Sequence, residues 1–222
     1  RTMAGGIDFV LPLRNHGEAV VAGRIVDEPD LELTNLIGLN LRLTEIQAAI
    51  GREQLKKLRG LVEAGARNAD LLAAKLAEIP CIQPASVRPG CTHVYYEHAL
   101  FYDATIAGVP RNRFVDAVAR ELPPTEGRET DGPLISAGYG IPLHRLPMYR
   151  RKIAFGEHGY PFTTPTFGGT INYDEGICPV AERLADVDLI VHEFMRPPAT
   201  EADLDDVASA FWKVWNHRSE LV

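Results

Sequence analysis

The chain has 222 residues, 45% of them hydrophobic and 24% charged, with a formal net charge of −7. That is enough apolar material to bury a core in one large or two small domains. The acidic balance, with no basic stripe interleaved with aromatics, excludes a general nucleic-acid binder, and no apolar run approaches the roughly 20 residues that span a bilayer.

Residues 1–35 show no sustained period and read as the edge of something larger. Their short apolar run, Ile7 to Leu13, is interrupted by Asp8 and does not read as a signal peptide. Cys81, Cys91 and Cys178 are odd in number and widely spaced. They fit reduced thiols of a cytoplasmic protein better than a disulfide framework or a zinc pair.

The strongest element follows. In "LIGLNLRLTEIQAAIG" (residues 36–51) a turn containing Gly38, Asn40 and Arg42 runs into a helix. Thr44 and Gln47 form a capping-box pattern, and Ile46, Ile50, Leu55, Leu58 and Val62 recur near helical spacing. Good helix formers continue to Pro80, although Gly51 and Gly65 each cost about 1 kcal/mol relative to alanine. A helix of roughly thirty-five residues spans about 50 Å, so it is expected to link two bodies, with a bend near Gly65.

From residue 81 the pattern turns α+β. The β-branched and aromatic run 92–103 predicts a strand, and 110–124, opened and closed by prolines, a short helix. Residues 124–178 are rich in Gly, Pro and Thr. They are too long for an idle loop, which points to function or to packing on a partner. A short helix over 178–186, a strand over 187–195 and a helix over 200–221 complete the chain, the last opened by Thr200 and Asp203 in a looser capping box. His93 and His192 read as sheet residues, and Phe211, Trp212 and Trp215 as core or interface. Glu201, Asp203, Asp205 and Asp206 complement a helix dipole, and no metal site is expected.

These segments carry a resemblance. "LIGLNLRLTEIQAAIGREQLKKL" is similar to the Gly-x-Asn-x-Arg turn and Thr-Glu-x-Gln-Ala-Ala helix of the DegT/StrS-type sugar aminotransferases, which use pyridoxal phosphate (PLP). "LPLRNHGE", "HVYYEHALFY", "GIPLHRLPMYR" and "PVAERLAD…TEADLDDV" resemble further segments of that family, in the family's order. The resemblance implies an α/β fold of PLP fold type I. Residues 1–60 would be the end of its large domain, a dimer-interface segment and the start of the linking helix. Residues 61–222 would be a small α+β domain with an antiparallel sheet flanked by helices.

In that family a lysine of the large domain holds PLP as a Schiff base. Lys56, Lys57, Lys75, Lys152 and Lys213 are the only lysines here, and none stands in that setting. No catalytic residue is therefore assigned to this chain. The resemblance implies a split aminotransferase, in which a partner chain carries PLP and the lysine that moves protons during two half-transaminations. It also implies that Asn40 reaches the PLP phosphate held by that partner, as a helix start with free N–H groups favours. Arg42 is a candidate for the amino donor's carboxylate or a sugar nucleotide's phosphates, and His144 and Tyr149 for the sugar-nucleotide pocket. The plainer readings stay open: a left-handed turn residue for Asn40, a surface ion pair for Arg42, and a loop histidine packed on Pro142 and Leu146 for His144. So do three other roles: a subunit of a PLP-dependent sugar dehydratase, a non-catalytic partner of a full-length aminotransferase, and a fragment of a longer enzyme. The resemblance implies carbohydrate modification for an antibiotic or a surface glycan, with a keto sugar or sugar nucleotide and an amino-acid donor as small-molecule partners.

Overall fold

The structure, a computed structural model, describes residues 20–21, 24–25, 41, 43–123, 134–152 and 159–222. The chain groups into two units, Arg1–Arg59 and Gly60–Val222.

In the first unit β1 (Val20–Val21) pairs antiparallel with β2 (Arg24–Ile25), with Val20 opposite Ile25. Helix α1 (Glu45–Leu76) is continuous over 32 residues, past both Gly51 and Gly65. Its capping box forms as expected. The Gln47 N–H donates to Thr44 Oγ1 at 3.3 Å, and the Thr44 N–H donates to Gln47 Oε1 at 3.0 Å. Burial is confined to the C-terminal half, where Gly65, Ala69, Leu72 and Leu76 recur at helical spacing. In the N-terminal half Ile46, Ile50, Leu55 and Leu58 are all more than half exposed.

The second unit is built on an antiparallel sheet of order β3 (Ile82–Pro84), β4 (His98–Tyr102), β6 (Leu189–His192) and β5 (Ile135–Ala137). Alternation along β4 turns His98, Leu100 and Tyr102 inward. Against this face pack α3 (Arg111–Glu121) through Phe114 and Val118, α6 (Glu201–Asn216) through Leu204 and Phe211, and the end of α1 through Leu72 and Leu76. Each such side chain, fully buried, contributes about 1.5–3 kcal/mol. The Tyr102 hydroxyl stays satisfied by donating to the Val109 carbonyl at 2.8 Å. Asn68 of α1 donates to the carbonyls of Met195 and Ala199, tying the helix to the turn before α6. The Thr200–Asp203 capping box of α6 is present. Phe211 is buried, and Trp212 and Trp215 pack on the core from its edge.

Four short helices complete the unit's connections: α2 (Ala104–Ala107), a 3₁₀ turn over Leu143–Arg145, α4 (Pro147–Arg150) and α5 (Pro179–Arg183). Helix α5 widens into a π turn over Leu184–Asp188 that leads directly into β6.

The structure corrects several sequence expectations. The strand predicted over 92–103 begins at His98, because Tyr95 adopts φ 50° and its N–H turns back to His93 Nδ1 at 2.7 Å. His93 is therefore exposed and outside the sheet. Strands β3 and β5 had no sequence signal; each has three residues, set among prolines and glycines. The final helix ends at Asn216 and is followed by a 3₁₀ turn, Arg218–Leu221.

One buried cation holds the π turn in place. The Arg111 guanidinium, 5% exposed, donates to the carbonyls of Leu184, Ala185, Asp186 and Leu189, and to Asn112 Oδ1. The Ala185 and Asp186 carbonyls are of the kind that a helix end leaves without partners; those of Leu184 and Leu189 also accept the Leu189 and Gly138 N–H groups. Gly138, at φ +83°, lets the chain after β5 come close, since a Cβ there would meet the Ala185 oxygen at 2.7 Å. Arg111→Met keeps the aliphatic stem but strands the Ala185 and Asp186 carbonyls. It is expected to lower the unfolding free energy by about 3 kcal/mol, read as a shifted urea midpoint with an unchanged slope.

Candidate functional site

Asn40 and Arg42 lie outside the described residues. His144 and Tyr149 fall in the loop-rich segment between β5 and α5, on the 3₁₀ turn and on α4 respectively. Tyr149 is half-buried, its ring 5.4 Å from that of Tyr173.

His144 is 6% exposed, and its Nε2 lies 2.9 Å from Glu182 Oε1. At that distance the approach is off the hydrogen-bonding line and leaves Nε2 without a hydrogen-bond partner. The same Glu182 Oε1 accepts the Gly176 N–H at 2.9 Å and the Cys178 N–H at 3.2 Å, which anchors the carboxylate. Burial disfavours its charge, but these N–H groups, His144 and Arg145 together hold its carboxyl below the ordinary range. Beside it Arg145 makes a two-pronged contact with Asp186, at 2.7 and 2.9 Å, and donates to Glu175 Oε2 at 2.9 and 3.1 Å. One ligand atom from each of His144, Glu175 and Glu182 lies within 4.8 Å of the others. The sequence reading singled out His144 alone. Glu175 and Glu182 come from separate segments at no motif spacing, so only the fold reveals the group.

The lysines do not fit a covalent seat for PLP. Imine formation requires a neutral amine, made available by an apolar pocket or a neighbouring cation. Lys56, Lys75 and Lys213 instead sit in ion pairs with Glu53, Asp205 and Glu121. The hydrogen bond to Asp205 holds the Lys75 ammonium above its usual range. Lys57 and Lys152 face solvent.

A second pair of histidines, buried and without a sequence signal at His98, lies in the sheet. His98 and His192 face each other across β4 and β6 with ring centroids 4.7 Å apart, and His192 stacks on Phe194 at 5.3 Å. Both are 1% exposed, and His98 Nδ1 and both His192 nitrogens have no hydrogen-bond partner. Burial, then the nearby His93, pushes the His98 pKa down to about 4, and burial lowers that of His192 as well. Both rings are neutral, and packing fixes them.

The DegT/DnrJ/EryC1/StrS aminotransferase family model matches residues 8–174. The chain belongs to this family. It is 33% identical over 197 residues to the L-glutamine:2-deoxy-scyllo-inosose aminotransferase of Streptoalloteichus tenebrarius, covering 86% of this chain and 42% of that protein. It is 31% identical over 200 residues to the L-glutamine:scyllo-inosose aminotransferase of Streptomyces griseus, covering 88% of this chain and 43% of that one. The solved structure of 3-amino-5-hydroxybenzoic acid synthase superposes with a TM-score of 0.64 at 16% identity, covering 97% of this chain and 48% of the synthase. The chain thus spans less than half the length of these relatives. Among its described residues no helix is long and apolar enough to cross a membrane.

The neutral histidine pair carries a pH signature. Between pH 4 and 6.5 the unfolded chain binds protons that folded His98 and His192 refuse, so acidification favours unfolding; above 6.5 both states are neutral and this contribution is flat. Urea unfolding is expected to weaken from pH 6.5 downward by up to about 1.4 kcal/mol per pH unit per histidine. His192→Leu should flatten that slope by about one proton.

Proposed function

We propose that the chain is the C-terminal-type component of a PLP-dependent aminotransferase that converts a ketone on a polyhydroxylated ring, a keto-cyclitol or keto sugar, into an amine. L-glutamine is the proposed donor. The lysine holding PLP belongs to a partner chain, and this chain completes that partner's site. PLP, when bound there, supplies the electron sink that amine transfer requires.

The carrying observation is the match over 86% of the chain to an inosose aminotransferase. Two physical features support the division of labour. Each described lysine is solvated or ion-paired, which suits a site whose amine lies elsewhere. The N-terminal half of α1 presents Ile46, Ile50, Leu55 and Leu58 to solvent, exposed apolar side chains of the kind that mark an interface. In this reading Asn40 grips the PLP phosphate across that interface, through an amide donor beside a helix start. Arg42 takes the donor's carboxylate through a two-pronged contact. His144 and Tyr149 belong to the ketone's pocket.

Three outcomes are expected. The chain alone, mixed with stoichiometric PLP and reduced with borohydride, shows no aldimine absorbance and no lysine fixed to the coenzyme. Transfer from L-glutamine to 2-deoxy-scyllo-inosose appears only in material containing a co-purifying PLP-carrying chain, and Asn40→Ala lowers it at least tenfold without loss of assembly. An aldimine on one of this chain's own lysines would sink the reading, and intact mass of native material distinguishes a natural small subunit from a cleaved longer enzyme. Light scattering of the isolated chain should show self-association that rises with concentration and falls in an α1 variant with Ile50→Lys and Leu58→Lys.

A further inference from the structure

We propose that His144, Glu175 and Glu182 form a site for a divalent transition-metal ion of the zinc class, which would cross-link the loop-rich segment between β5 and β6.

Three observations lead there. The donor set is one imidazole and two carboxylates, with one ligand atom from each within 4.8 Å of the others. Zinc takes such nitrogen and oxygen ligands at about 2.0–2.2 Å, commonly with water in a remaining position. Second, His144 is 94% buried, and its Nε2 lies 2.9 Å from Glu182 Oε1 without a hydrogen bond. A buried ring nitrogen left this way is costly, and a cation bound beside both the nitrogen and the carboxylate uses its lone pair. Third, the ligands are already oriented. The N–H groups of Gly176 and Cys178 fix the Glu182 carboxylate, and Arg145 steers Glu175 while being answered by Asp186. Outer contacts of this kind are what hold first ligands in place. Among the described residues Arg145 is the one cation in direct contact with Glu175 and Asp186, and three carboxylates, those of Glu175, Glu182 and Asp186, gather around it. The group keeps a net negative charge suited to a dication.

The segment has reason to use a cross-link. Between β5 and α5 its described regular structure is a 3₁₀ turn and one four-residue helix, so little backbone ladder or apolar core holds it. His144, Glu175 and Glu182 come from its beginning, its end and α5. A metal bridging them would stabilise by closing these loops, as structural zinc does in small loop-rich folds.

The test uses the full chain stripped of metal, with zinc ion alone as the probe. Exposed Cys91 and Cys178 are first replaced by serine, so that thiols cannot hold the ion. Calorimetric titration and elemental analysis after dialysis are expected to give one zinc per chain, with a rise in melting temperature. His144→Ala and Glu182→Gln should each weaken binding more than tenfold, and Glu175→Gln less. Because His144→Ala removes a buried ring and could unfold the segment, the unsubstituted histidine is also read directly. Its ring resonances should shift on adding zinc, and cobalt(II) should give a visible spectrum of nitrogen and oxygen ligation. No stoichiometric binding by the folded chain, or binding indifferent to both His144→Ala and Glu182→Gln, overturns the proposal. So does zinc that leaves the His144 resonances unmoved. None of these readouts involves transamination, so the site can fail while the proposed function stands, and the reverse.

Discussion

The buried guanidinium of Arg111 is the contact on which the arrangement of the second unit depends. It reaches from the first turn of α3 to four carbonyls of the π turn and the start of β6. Burial works against its charge, and Asp186 and Asp188 support it. Because it fixes the backbone of residue 186, it also fixes where the Asp186 carboxylate stands. That carboxylate grips Arg145, and Arg145 sits next to His144 in the same 3₁₀ turn. A single cation thus links the α/β core to the loop segment that carries the chemistry-bearing side chains. The linkage is by hydrogen-bond geometry rather than apolar packing, which suits a region with few buried hydrophobic residues.

Helix α1 illustrates a different constraint. Its apolar residues recur along its whole length, yet only the half from Gly65 to Leu76 is buried within this chain. A helix can be stable through its packed half while the other half exposes apolar side chains, because helical stability in proteins comes mainly from tertiary packing. Gly65, a weak point by propensity, faces Pro197, and a Cβ there would stand at an ordinary contact distance of 3.8 Å from the proline ring, so packing does not require glycine. The helix runs through the position without a break, its end held by the packing of Ala69, Leu72 and Leu76.

The sequence made some of this legible and not the rest, for reasons that differ by residue. The capping boxes at Thr44 and Thr200 were readable because they are local, with donor and acceptor three residues apart. The order of helices and the strand at β6 followed from period and composition. Strands β3 and β5 were hidden because three residues carry no period, and their pairing with β4 and β6 is a property of the sheet. His98 was opaque for the same reason: its partner His192 lies 94 positions away in sequence but directly opposite in register. The candidate site was half legible. The Pro-Leu-His segment pointed to His144, but Glu175, Glu182 and Asp186 are ordinary surface acids until the fold brings them together around His144 and Arg145.

The two histidine settings separate packing from chemistry. At His98 and His192 the neighbours are rings and strand backbone, Asp70 is too weak a counterweight, and burial leaves both imidazoles neutral. At His144 an equally hidden ring faces carboxylates whose own positions are fixed by backbone N–H groups and a guanidinium. Burial is the same in the two places; what differs is the charge the neighbours hold ready. A neutral pair in a sheet can only resist protonation, whereas a ring nitrogen beside an anchored carboxylate can take part in binding. That contrast moves the search for function out of the regular sheet and into the segment between β5 and β6, where the fold gives up apolar packing and gathers polar groups instead.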